Sequence, residues 1–120
     1  MSVEINTSLG RIDVSNDVIA TIAGGAAVDC YGLVGMASRK ALKDGFTELL
    51  GRENLSRGVD VKEQDGRVEI DLYIIVSYGV KISEVAHNVQ TKVKYTLNQT
   101  LGLDVSGVNV YVQGVRVSAP

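Results

Sequence analysis

One histidine, one cysteine, two glycine pairs and a facing pair of aspartates are the residues of this 120-residue chain whose types invite a chemical reading. His87 is a general-base candidate by type, but no Ser, Cys or Asp is spaced to complete a triad with it. It falls between the apolar Ala86 and Val89 on the polar side of a helical pattern, so a solvated histidine is expected. Cys30 continues the stripe Ile19, Ile22 and Ala26, which makes it a small buried hydrophobe. It also lies at a helix C-terminus, where the helix dipole raises a thiol's pKa and works against nucleophilic use. With no second cysteine, neither an internal disulfide nor a thiolate metal cluster can form.

Gly24-Gly25-Ala26-Ala27 resembles a phosphate cradle in composition. Such cradles lie between a strand and a helix N-terminus, whereas this run lies within a helical pattern and predicts close helix packing instead. Gly32-Leu33-Val34-Gly35 has the glycine spacing of a nucleic-acid-clamping loop, but its inner residues are apolar where such loops carry Lys or Arg. Asp60 and Asp71 could together approach a divalent cation, yet hard cations want more oxygens than two strand residues supply. With Lys62 diagonal to Asp71, a charge-screened, solvated face is expected there. Lys81, Lys92 and Lys94 form a modest basic patch whose only aromatic is Tyr95, again read as solvated. The expectation is therefore a protein without enzymatic activity: no catalytic residue, no metal ligand and no cofactor.

The elements that would position these residues are set by periodicity. In GVDVKEQDGRVEIDLYIIVSYG, residues 58–79, Asp65-Gly66 is a two-residue hairpin turn, because both positions tolerate positive φ. That turn pairs Gln64 with Arg67, Lys62 with Glu69, Val61 with Ile70, Asp60 with Asp71 and Val59 with Leu72. Apolar residues near the turn then share one face and charges the other, and a one-residue slip would scramble both. Ile12 and Val14 alternate with Arg11 and Asp13 as a short half-buried strand. Ser15 follows as a helix N-cap with Asp17 in the first turn, and Val18, Ile19, Ile22, Ala26 and Cys30 recur at helical spacing up to Gly32.

Residues 33–37 form a second short strand, and a short helix is expected over 46–50, ending at Gly51. A long helix opens at Ser83 and Glu84, carries Ile82, Val85, Ala86, Val89, Val93, Leu97 and Leu101 on one face, and closes at Gly102. Val108, Val110 and Val112 make a last strand, whose alternation changes phase at Gly114 towards Val115 and Val117, as at a bulge. The fold class is α+β: a two-layer sandwich with one mainly antiparallel or mixed sheet and two main helices on one face. It forms a single domain over 1–120.

Bulk composition narrows the function. The net charge of −2 and pI near 5.3 argue against nucleic acid or an anionic membrane as the main partner, since both favour a basic face. Neither a secretion signal nor a membrane-spanning apolar run is seen, so the cytoplasm is expected. The sequons at Asn6, Asn54 and Asn98 are then chance matches.

The same stretches carry a resemblance. ELLGRENLSRGVDV, VEIDLYIIVSYGVKISEVA and VNVYVQGVRV, with GRIDVSNDVIATIAGGAA and GMAS before them, closely resemble the alkaline shock protein (envelope stress response) family of Gram-positive bacteria. The similarity runs over about residues 9–117. It implies a small cytoplasmic, non-enzymatic interaction or scaffold protein in cell-envelope homeostasis, in some members held at the membrane by a separate anchoring protein. It also implies, as alternatives, a regulatory partner of a lipid- or fatty-acid-metabolism enzyme, and it is compatible with a homo-oligomer. Longer members carry extended charged tails and this chain has short ones, so tail-dependent roles are not expected. An RNA-binding module, suggested by the two-layer layout and the glycine spacing, is the third reading.

Residues 38–57 are the one long irregular connection, and in a small domain such connections tend to be functional or disordered. They carry Phe46, Leu49, Leu50 and Leu55 beside five cations and three carboxylates. Arg39, Phe46, Arg52 and Asn54 are accordingly the candidate partner-binding residues. The alternative is structural: Leu49 and Leu50 cap the core while residues 52–54 make a turn.

Overall fold

The predicted turn at Asp65-Gly66 anchors the fold. Both residues adopt positive φ, +54° and +77°, and join strand β4 (Val59–Gln64) to β5 (Arg67–Ser77) in the register expected from the sequence, with Val61 opposite Ile70. The structure, a computed structural model, describes residues 2–117 apart from the side chains of Arg52 and Glu53. Glu63 departs from the clean division of faces, because it pairs with Val68 on the apolar side. It lies at the sheet's end, where the carboxylate still reaches solvent.

β5 is the central strand. β6 (Gly107–Arg116) pairs with it in parallel from Glu69 to Ser77 and so occupies one edge. The other edge is shared end to end by β4, against Arg67–Leu72, and by β3 (Leu33–Met36), against Ile74–Val76. β3 and β4 both run antiparallel to β5, so they are two halves of one edge strand. The chain leaves that edge at Ala37, whose N–H still donates to Tyr73 O at 2.8 Å, and rejoins it at Gly58. There an added Cβ would lie 2.7 Å from Met36 Cβ and 2.9 Å from Ala37 O, so only glycine closes the seam without displacing backbone.

Two helices cover the inner face. Helix α1 (Asn16–Val28) starts at Ser15, whose side chain accepts from Val18 N–H, with Asp17 in the first turn. Its buried stripe is Ile19, Ala20, Ala23, Gly24, Ala26 and Ala27. That is rotated from the expected stripe: Val18 is 44% exposed, and Cys30 lies past the helix end and is only partly buried. Burial raises the Cys30 thiol above its ordinary value; Lys92 opposes that and Asp29 adds to it. Small residues dominate the true stripe because Leu55 presses on it: a Cβ on Gly24 would stand 3.0 Å from Leu55 Cβ, whereas Gly25 faces open space.

The long helix α3 (Ile82–Leu101) buries Val85, Val89, Val93 and Leu97 and ends at Gly102 in the left-handed conformation, φ +67°. It is the crossover between parallel strands β5 and β6. The core lies between these helices and Met36, Val59, Ile70, Leu72, Ile74 and Val76 of the sheet. In β6 the bulge expected at Gly114 is present. The pairing jumps from Val112 opposite Ile74 to Gly114 opposite Ile75, which leaves Gln113 as the extra residue.

One element was not anticipated. Strand β1 (Ser2–Thr7) pairs with β2 (Gly10–Ser15) as a separate two-stranded sheet, so the described residues form two sheets rather than one. The hairpin runs from the buried Val3 at its base to Leu9, 98% exposed at its tip.

Candidate functional site

Within the excursion of residues 38–57, the short helix falls earlier than expected. Ser38 caps α2 (Arg39–Lys43) by accepting from Ala41 N–H, and Gly45, at φ +88°, turns the chain back. Residues 46–50 are irregular rather than helical. Leu49 forms a bridge with Ala37, Ser38 N–H donates to Glu48 O, and Leu50 N–H donates to Met36 O. The apolar residues read as a helical turn are thus drawn out along the end of β3. Gly35 leaves room for this, since a Cβ there would meet Leu49 Cδ1 at 2.7 Å. A 3₁₀ segment, Arg52–Gly58, completes the return.

The excursion therefore divides into two parts. Leu50 and Leu55 pack against the core, whereas Leu49, expected to cap it together with Leu50, pairs with Ala37 and lies over Gly35. The first part remains at the surface and forms an open groove of about 810 Å³ lined by Arg39, Lys40, Lys43, Phe46, Glu48 and Arg57. Two of the four sequence candidates, Arg39 and Phe46, line it. Asn54 belongs to the 3₁₀ return, where its φ of −123° breaks the helical geometry, and the Arg52 side chain lies outside the described residues. Lys40, Lys43 and Arg57 line the groove and were not singled out by sequence; the signal that could have found them is Ser38 as an N-cap before a basic helical turn.

Phe46 is 69% exposed. Arg39 does two jobs: its Nε–H donates to Arg57 O at 3.2 Å, and its Nη1 stands 3.4 Å from Asp60 Oδ1. It clasps the start of the excursion to its end. Among the described side chains, no carboxylate lies within ion-pair distance of Lys40, Lys43 or Arg57.

The outer face of the sheet is arranged differently, and here one expectation fails. Asp71 was read as solvated and is 1% exposed. Lys62 does not turn to Glu69, its direct cross-strand neighbour. Its Nζ stands 2.6 Å from Asp71 Oδ2, while Asn109 of β6 donates to Asp71 Oδ1 at 2.8 Å and to Glu69 Oε1 at 3.2 Å. The hydrogen bond and charge of Asp71 raise the Lys62 pKa above its ordinary value. Beside this network Tyr73 and Tyr111 stack with ring centroids 5.0 Å apart. Burial and then the charge of Asp71 push the Tyr73 phenol up. His87 is exposed on α3, and among the described residues no group of three metal-ligating side chains exists.

The molecule is thus a two-layer α+β domain with an open charged groove inserted into a sheet edge. It belongs to the alkaline shock protein family, described by a cell envelope-related function, whose model matches residues 4–117. Over its full length it is 68% identical to the uncharacterized protein YloU of Bacillus subtilis, all of which is covered. Over 117 residues it is 52% identical to the uncharacterized protein Spy1614 of Streptococcus pyogenes, covering 98% of this chain and 97% of the other. The uncharacterized protein YqhY of B. subtilis is 33% identical over 111 residues, 92% of this chain and 81% of that one. No solved structure matches. No helix among the described residues is long and apolar enough to cross a membrane.

Proposed function

We propose that this chain is a non-enzymatic interaction protein of the envelope-stress type, working in cell-envelope homeostasis through protein contacts at the groove of residues 38–46. The single observation carrying this is Phe46, a large apolar side chain exposed among cations on a segment inserted into an otherwise continuous edge strand. A single exposed apolar side chain is ordinary on a protein surface, and Leu9, Tyr31 and Tyr78 are more exposed still; what supports the reading is the place of Phe46 in a lining rich in cations. The family's cell envelope-related function supports the setting. The reading places the protein in the cytoplasm, brought to the membrane through a partner. A regulatory partner of a lipid-metabolism enzyme uses the same surface and differs only in what docks there.

The RNA-binding reading has one observation in its favour, the stacked Tyr73 and Tyr111 on the outer sheet face. Stacked aromatics on a sheet can receive bases, but the cation beside this pair, Lys62, is held by Asp71 rather than left for phosphate.

Capture of native partners by crosslinking pull-down tests the proposal. Phe46→Ala and Lys43→Glu should lower capture while leaving the melting temperature unchanged. Arg39→Glu is a poorer probe, because it also breaks the clasp to Asp60 and Arg57. Full capture by both groove variants would locate docking elsewhere, with the exposed α3 surface near Lys92 and Tyr95 next in line. Loss of cellular function in a stably folded His87→Ala variant would overturn the non-enzymatic assignment.

A further inference from the structure

We infer that the groove receives an acidic segment of a partner protein that also carries a large apolar side chain. The inference rests on the reading of the groove as the docking surface and adds the chemistry of what docks.

Charge is the first ground. The lining holds Arg39, Lys40, Lys43 and Arg57 against Asp44 and Glu48, a net of +2 in a chain whose total is −2. The remainder of the molecule therefore nets −4, and the groove is an island of opposite sign. At physiological salt, exposed charges act over about 8 Å, so the clustered cations reinforce one another locally while the distant carboxylates are screened.

Clustering of unpaired cations is the second ground. Among the described side chains outside the groove, Arg11 lies 3.7 Å from Glu4 and 3.4 Å from Asp13 and Lys62 lies 2.6 Å from Asp71, while Arg67, Lys81, Lys92, Lys94 and Arg116 make no ion pair but share no one lining. Among the described side chains of the groove, Arg39 is paired, through Asp60. Lys40, Lys43 and Arg57 present ammonium and guanidinium groups to solvent without a described carboxylate beside them. A partner carboxylate gains their attraction without first breaking an internal ion pair.

The third ground is Phe46. Its exposed ring beside these cations offers an apolar contact that a purely charged ligand leaves unused, and aromatic side chains dominate the energetics of such contacts. A peptide alternating acidic and apolar residues satisfies both.

Fluorescence anisotropy on the intact protein tests this with three labelled probes: a peptide of Asp and Glu interspersed with Leu and Phe, its Asn/Gln counterpart, and a homopolymer RNA. The acidic peptide should bind, weaken as salt rises, and lose roughly tenfold in affinity on Lys40→Glu/Lys43→Glu, in line with charge reversal at an interface rim. Phe46→Ala should weaken the acidic peptide further without restoring any salt dependence lost in that double variant. Equal binding of the acidic and neutral peptides, indifference to the double variant, or tighter binding of RNA would each overturn the inference. Failure of the acidic peptide alongside lost native capture in Phe46→Ala would overturn the partner chemistry and spare the docking surface. Undiminished native capture by both groove variants would remove the docking surface, and this inference with it.

Discussion

The β4–β5 hairpin and the excursion before it are consecutive in the chain and both rich in charge, yet they handle charge in opposite ways. On the hairpin's outer face Asp60 meets Arg39, Asp71 meets Lys62 and Asn109, and Glu69 meets Asn109. In the groove no described carboxylate lies within ion-pair distance of Lys40 or Lys43, although Asp44 and Glu48 share the lining. A buried carboxylate left alone is costly, so the fold brings partners to it, Lys62 from the same hairpin and Asn109 from β6. A region that leaves cations unpaired in water incurs almost no such cost and keeps them available. The difference separates charge that holds the fold together from charge that is free to meet another molecule.

Core variants should give the largest effect and fix the scale. Ile70→Ala or Ile74→Ala, both fully buried, should cost about 2–5 kcal/mol in denaturant melts. Losses as small as those at groove positions would mean the inner face is wrongly assigned. Gly58→Ala should come next, at about 1–3 kcal/mol, because the new methyl meets the backbone at Ala37 as well as Met36. An unchanged midpoint there would contradict the closed seam between the two halves of the edge strand.

Asp71→Ala should cost about 1–3 kcal/mol, since the buried site loses its contacts with Asn109 and Lys62. In a double-mutant cycle, Lys62→Ala should matter far less once Asp71 is Asn; additive losses would show that the pair does not interact. Alkaline pH tests the same network more gently. The Lys62 pKa is raised above 10.5 and that of Tyr73 above 10.0, so both groups hold their protons more tightly folded than unfolded. Their contribution to stability is complete below about pH 10 and fades as pH climbs through the folded-state values. Melts at about pH 9 and pH 11 should differ less in Asp71→Asn than in the parent. The smallest effect is expected in the groove, where Phe46→Ala and Lys43→Glu should stay within about 0.5 kcal/mol of the parent. A large loss there would make the groove part of the scaffold.

The hairpin was legible because its information is local: a two-residue turn and a period of two determine every pair from Gln64–Arg67 to Val59–Leu72. The burial of Asp71 was not, because it depends on Asn109, brought alongside only when α3 carries the chain over to a parallel β6. Val3 and Ile5 alternate with Glu4 and precede Ser8-Leu9-Gly10, a weak strand-and-turn signal that two apolar residues near the start of a chain do not make compelling. Residues 46–50 were misread as helical for a related reason. Their apolar spacing suits a helical turn, but pairing with Ala37 supplies backbone hydrogen bonds that a helix of that length could not match. Of the candidate site, Arg39 and Phe46 were found through the irregularity and mixed charge of the segment, while Lys40, Lys43 and Arg57 emerge only once α2 and the return of the chain are brought together.

Because one edge strand is interrupted rather than ended, the inserted segment begins and finishes at nearly the same point in space. The sheet on either side touches the insert through the leucines that anchor it and through Arg39, which pairs with Asp60 of β4. Such a segment is a natural cassette. Its outer part, Arg39–Phe46, could be exchanged for that of a relative, or shortened to a tight connection, with Ser38 and the stretch from Leu49 to Gly58 kept as the mounting. A chimera of that kind would inherit the donor's choice of partner on an unaltered frame.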